Sequence, residues 1–69
     1  MERRHVQSSN ISEVGWESDV LEVAFKTGSV YRYTGVPERI YRDLMQSASV
    51  GKFFAAEIRG KYAMTKIRG

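Results

Sequence analysis

From Ile11 onward the apolar positions fall first at every second residue and then at every third or fourth. Val14 and Trp16 share one face, Leu21, Val23 and Phe25 another, and Tyr31 and Tyr33 a third, and each run is bounded by Gly, Ser or Asp. Period-two spacing between turn formers predicts strands, and the short connections predict antiparallel neighbours. Beyond Gly35 the period changes. Ile40, Tyr41, Leu44, Met45 and Ala48 recur at helical steps, which predicts an amphipathic helix from about Pro37 to Ser47. Ser49 is suited to cap a second helix reaching about Arg59, in which Phe53 or Phe54, Ile58 and Tyr62 continue the apolar stripe until Gly60 weakens it. The expected fold is α+β, a three-stranded antiparallel β-meander followed by two α-helices packed on one face. Residues 1–8 are expected to form a flexible lead-in, 9–62 the single domain and 63–69 a basic tail that either adds a strand or frays.

The loop between the second and third predicted strands decides where the tyrosines point, because a slip of one residue exchanges the two faces of a strand. A two-residue Thr27-Gly28 turn sets Val23 against Arg32 and Glu22 against Tyr33, which matches neither face chemically. A three-residue Lys26-Thr27-Gly28 loop sets Leu21 against Tyr33, Val23 against Tyr31 and Glu22 against Arg32. This loop asks for positive φ at its third position, where glycine pays no steric penalty. The odd loop is therefore expected, with Tyr31 and Tyr33 on the core face and a Glu22–Arg32 pair on the other.

Composition narrows the class. A chain of 69 residues supports one modest core, and with no Cys neither disulfides nor thiolate metal ligands supplement it. Aromatic residues at 12% are too many for a solvated, disordered chain. The longest apolar run, Phe53-Phe54-Ala55-Ala56, is far too short for a signal or membrane-spanning segment, so a soluble, cytoplasmic protein with no membrane partner is expected. The net charge of +3 is unevenly spread. From Lys52 onward, Lys52, Arg59, Lys61, Lys66 and Arg68 face the single carboxylate of Glu57, a net of +4 against −1 for the remainder. Such a basic end is either an electrostatic footprint for phosphates or a solvated tail.

Catalytic chemistry finds few parts. His5 is the only histidine, so nucleophile–base pairs and metal clusters lack their members, and the glycines form neither a dinucleotide fingerprint nor a phosphate loop. Glu13, Glu17 and Asp19 cluster near a predicted turn and read as a solvated loop. No enzyme activity, metal or cofactor is expected. The candidate chemistry is binding: Lys52, Arg59 and Lys61 for phosphates, Tyr62 for stacking, and Arg32 between the two tyrosines. Adjacent helical residues sit about 100° apart, so Phe53 and Phe54 cannot both face inward. One of them is a candidate for docking a protein or a second copy, which keeps a protein-interaction module open as the alternative function, with a monomer or weak homodimer expected.

The order Val14-Gly15-Trp16, Gly28-x-x-Tyr31-x-Tyr33, Val36-Pro37, Tyr41, Leu44, Ala48-Ser49-x-Gly51-x-Phe53-Phe54, Ile58-Arg59 and Tyr62 resembles the KTSC domain family. The resemblance covers about Ser8 to Tyr62, with Tyr-x-Tyr as its hallmark. It implies kinship with a domain at the C-terminal end of some lysyl-tRNA synthetases and with free-standing bacterial or phage proteins, and hence a role in binding RNA. Two positions depart from the pattern. Trp16 stands where the family commonly has Tyr, and Ala55 where many members carry Asn, so any role of that amide is absent here.

Overall fold

The computed structural model describes residues 1–69 as β1 (Arg3–His5), β2 (Ile11–Glu17), β3 (Val20–Phe25), β4 (Val30–Thr34), α1 (Glu38–Gln46), α2 (Val50–Glu57) and β5 (Ala63–Arg68). The strands form one antiparallel sheet in the order β1-β2-β3-β4-β5, with both helices inserted between β4 and β5. The expected three-stranded meander is therefore corrected to five strands, although the α+β class stands. The additional strands come from the segments read as lead-in and tail, and both lack the signal that pattern reading depends on. No residue of β5 is buried, and β1 is the three residues Arg3-Arg4-His5. Backbone pairing places these edge strands, with little apolar burial to announce them.

The central strands follow side-chain chemistry. Ser18 and Asp19, both at positive φ, make the two-residue turn between β2 and β3. Gly28, at φ 101°, closes the three-residue loop between β3 and β4, and Phe25 N–H donates to the Ser29 carbonyl at 2.8 Å. The resulting register pairs Leu21 with Tyr33, Glu22 with Arg32 and Val23 with Tyr31, as the odd loop predicts. A bulge near Ser12 lets Ile11 and Val14, three residues apart, both face the core; the Ser12 hydroxyl donates to the Ala24 carbonyl at 3.2 Å.

Both helices cover one face of the sheet. Leu44 of α1, Val50 and Phe54 of α2, and Ile58 just beyond it pack onto Ile11, Val14, Leu21, Val23, Tyr33 and Val36. Pro37 precedes α1 and Ser49 caps α2, its hydroxyl accepting from Lys52 N–H at 3.3 Å. Trp16 ties β2 to the entry of α1, since its indole N–H donates to the Val36 carbonyl at 2.8 Å and its ring stacks on Tyr41 at 6.3 Å. Helix α2 ends at Glu57, two residues earlier than expected, and Gly60 at φ 78° turns the chain into β5. Arg59 thus lies beyond the helix that was expected to reach it.

Candidate functional site

Helix α2 does not cover the whole inner face of the sheet. Where β3, β4 and β5 run past it, a cleft of about 540 Å³ opens between the sheet, α2 and the turn that follows. Five of its eleven lining residues are aromatic, Phe25, Tyr31, Tyr33, Phe54 and Tyr62, and Met64 joins them from β5. Gly51 and Ala55, one helical turn apart on α2, also line it, and the missing side chain of the first and the single methyl of the second leave space that larger residues would fill. Ala55, the position where the resemblance anticipates Asn, presents a methyl group there. Arg59 is the single charged residue of the lining.

The aromatic residues divide into a floor and a free wall. Phe25 meets Tyr31 and Phe54 edge to face, each at 5.7 Å, and Tyr33 meets Phe54 at 5.5 Å. Those rings satisfy one another's quadrupoles. Tyr62, half-buried beside them, stacks with no other ring. Tyr33 is only 5% exposed, and its burial pushes its hydroxyl pKa above the ordinary value; the positive charge of Arg59 opposes that rise and the Tyr31 hydroxyl adds to it. Arg59 is thus close enough to act on the cleft floor electrostatically.

The opposite face of the sheet carries a different arrangement. Glu22, 7% exposed, accepts from Arg32 Nε at 2.7 Å and lies 3.4 Å from Arg3 Nη1. Glu13 lies 3.2 Å from Arg3 Nε and 3.4 Å from His5 Nε2. Two carboxylates thus hold three basic side chains in a chain of contacts across β1 to β4.

The residues read from the sequence as one binding set therefore separate. Arg59 and Tyr62 meet at the aromatic cleft. Lys52 borders a neighbouring hollow with Ser8, Ser9, Asn10 and Ser49. Lys61 is exposed in the turn before β5, and Arg32 is committed to Glu22 on the far face. Phe54 is 4% exposed and buried in the core, while Phe53 is half-buried against it, so the two do not both face inward, as their helical spacing requires. The contributions of Phe25, Gly51 and Met64 were not read from the sequence. A signal for the first was available, since Phe25 lies at the mouth of the hairpin that carries Tyr31; β5, with no periodic pattern, gave none for Met64.

No helix is long and apolar enough to cross a membrane. No three His, Asp or Glu side chains gather into a metal-binding group. Comparison with known proteins matches residues 7–62 to the KTSC domain. An uncharacterized protein of Stutzerimonas stutzeri is 38% identical over 56 residues, spanning 78% of this chain and 79% of its own length. The crystal structure of a KTSC domain protein from Yersinia pestis superposes with a TM-score of 0.89 at 40% identity and covers 96% of each chain, so the likeness extends beyond residues 7–62 into the edge strands. With the family's domain matched over residues 7–62 and a solved relative 40% identical over 96% of each chain, the chain belongs to the KTSC domain family.

Proposed function

We propose that this chain is a non-enzymatic, cytoplasmic module that binds RNA or another nucleic acid through its basic C-terminal half. The observation that carries this reading is how the charges are distributed among partners. Glu13 and Glu22 hold Arg3, His5 and Arg32 on one face; the other nine lysines and arginines make no ion pair, and five of them, Lys52, Arg59, Lys61, Lys66 and Arg68, fall after residue 51 with Glu57 as the single carboxylate there. One unpaired cation at an aromatic cleft, Arg59, with others elsewhere on the C-terminal segment, suits a polyanion with exposed bases, since phosphates supply affinity and ring faces accept stacking. The resemblance to a domain of some lysyl-tRNA synthetases favours RNA. Arg32 is withdrawn from the binding set, because its guanidinium already serves Glu22.

The test is a titration of labelled single-stranded RNA and DNA across salt concentrations. Affinity should fall steeply with salt, and Lys52→Glu combined with Arg59→Glu should weaken it by more than about tenfold and flatten the slope, with the far-ultraviolet spectrum unchanged. Binding that ignores salt, or an affinity unmoved by the double reversal, removes the reading.

A second reading is a protein-interaction module. It is favoured by Met64 and Ile67, 54% and 47% exposed on the edge strand β5, whose outer backbone groups are free to pair. Sedimentation distinguishes the two, because docking of a second copy through β5 makes the mass concentration-dependent while nucleic-acid binding by a monomer does not.

A further inference from the structure

An aromatic cleft of about 540 Å³ is the size of a small-molecule site, yet it is more than a polyanion needs. Its features converge on one kind of occupant. Tyr62 offers an uncommitted ring on one wall. Arg59, exposed and without a carboxylate partner, supplies a planar cation on the same turn, three residues earlier. No acidic residue lines the cleft. At another part of the lining, Asn10 has its Oδ1 engaged by the Ser8 hydroxyl at 3.0 Å, which leaves the amide N–H groups to donate elsewhere.

We infer that the cleft is a one-nucleotide pocket: a base splayed out of a single strand stacks on Tyr62, its phosphate pairs with the Arg59 guanidinium, and the Asn10 amide donates to an acceptor on the base edge. The inference rests on the nucleic-acid reading and adds the place and unit of recognition. An aromatic face contributes to every base, so the pocket accepts purines and pyrimidines alike, with any preference set at Asn10. Lys52, Lys61 and Lys66 act on neighbouring phosphates and are not needed for a mononucleotide. Arg59 thus differs in kind from the other cations, because its loss removes both the pocket interaction and one phosphate contact of the longer strand.

The experiment is amide NMR of the full chain titrated with adenosine and uridine 5′-monophosphates, with ribose 5-phosphate and phenyl phosphate as partial ligands, and with a single-stranded RNA oligomer. The monophosphates should shift Arg59, Gly60 and Tyr62, and do so at least about fivefold more tightly than ribose 5-phosphate, the lower end expected for one base stack. Tyr62→Leu and Arg59→Gln should each weaken monophosphate binding by at least that factor, Tyr62→Phe should retain it, and Arg42→Gln, exposed on α1 away from the cleft, should leave it unchanged. If the oligomer binds while monophosphates leave residues 59–62 unmoved, the pocket is overturned and the broader reading survives. If ribose 5-phosphate or phenyl phosphate binds as tightly as the nucleotides, base recognition is overturned. If neither monophosphate nor oligomer binds, both readings fall.

Discussion

Arg3 Nη1 lies 3.4 Å from Glu22 Oε2 although the strand carrying Gly15 runs between them. Arg3, Gly15, Glu22 and Arg32 stand in one row across four strands, and the missing side chain at Gly15 is what lets the Arg3 stem pass over to the third. A Cβ at Gly15 would sit 2.5 Å from the Glu2 carbonyl oxygen and 3.0 Å from Arg3 Cγ. The ion pair that anchors the lead-in strand therefore depends on a glycine in a different strand.

Gly15→Ala should lift β1 off the sheet. The backbone oxygen it meets cannot rotate away as a side-chain tip can, so a destabilisation of about 1–3 kcal/mol is expected, together with loss of hydrogen-exchange protection in β1. Denaturant unfolding and amide exchange measure the two effects. Unchanged protection of the β1 amides would contradict the crossing of Arg3 over Gly15.

Glu22 and Arg32 should respond unequally to truncation. Glu22 is nearly buried and answers two guanidinium groups, so Glu22→Ala should cost about 2–3 kcal/mol as charge-assisted hydrogen bonds are lost. Arg32→Ala leaves Arg3 beside the carboxylate and removes a half-exposed side chain, so its cost should stay under about 1 kcal/mol. Thermal unfolding of both variants gives the comparison; equal losses would mean that Arg3 contributes nothing to Glu22.

Tyr33→Ala should remove about 3–5 kcal/mol, which is enough to unfold a domain of this size. Tyr31, half-buried on the same face, should cost less when truncated, about 1–2 kcal/mol. Circular dichroism during thermal unfolding orders the two variants. A folded Tyr33→Ala with native stability would mean that the tyrosine serves only the cleft.

Stability should fall at alkaline pH in a way that Tyr33 controls. Burial raises its hydroxyl pKa above 10.0, so the unfolded chain releases that proton before the folded one does. The stabilisation is full below the unfolded value and is lost as pH climbs through the folded one. Tyr33→Phe should flatten this part of the profile, and Arg59→Gln should push the Tyr33 titration higher still, because the arginine is the influence that lowers it. Ultraviolet absorbance of tyrosinate follows the titration, and an Arg59→Gln variant whose tyrosines titrate at lower pH would contradict the electrostatic influence of Arg59 on the cleft floor.

The sequence by itself determined the parts whose side chains have unequal faces. The hairpin register follows from the parity of Lys26-Thr27-Gly28 and the chemistry of the pairs it creates, and the two helices follow from apolar residues at helical steps, with Pro37 and Ser49 at their starts. Edge strands have no such inequality. Arg3-Arg4-His5 and the exposed residues of β5 are held by a neighbour's backbone and by ion pairs reaching across Gly15, relationships between distant positions that no local pattern records. The site was divided in the same way. The pattern placed Tyr31 and Tyr33 on the core face, where packing and ligand binding read as rival uses. Only the tertiary structure could decide that α2 ends at Glu57, short of covering that face, so that the same two tyrosines form part of the core and line an open cleft beside Arg59 and Tyr62. How far a helix extends over a sheet depends on its C-terminal turn and on small residues such as Gly51 and Ala55 at the contact, and those are properties of two surfaces meeting.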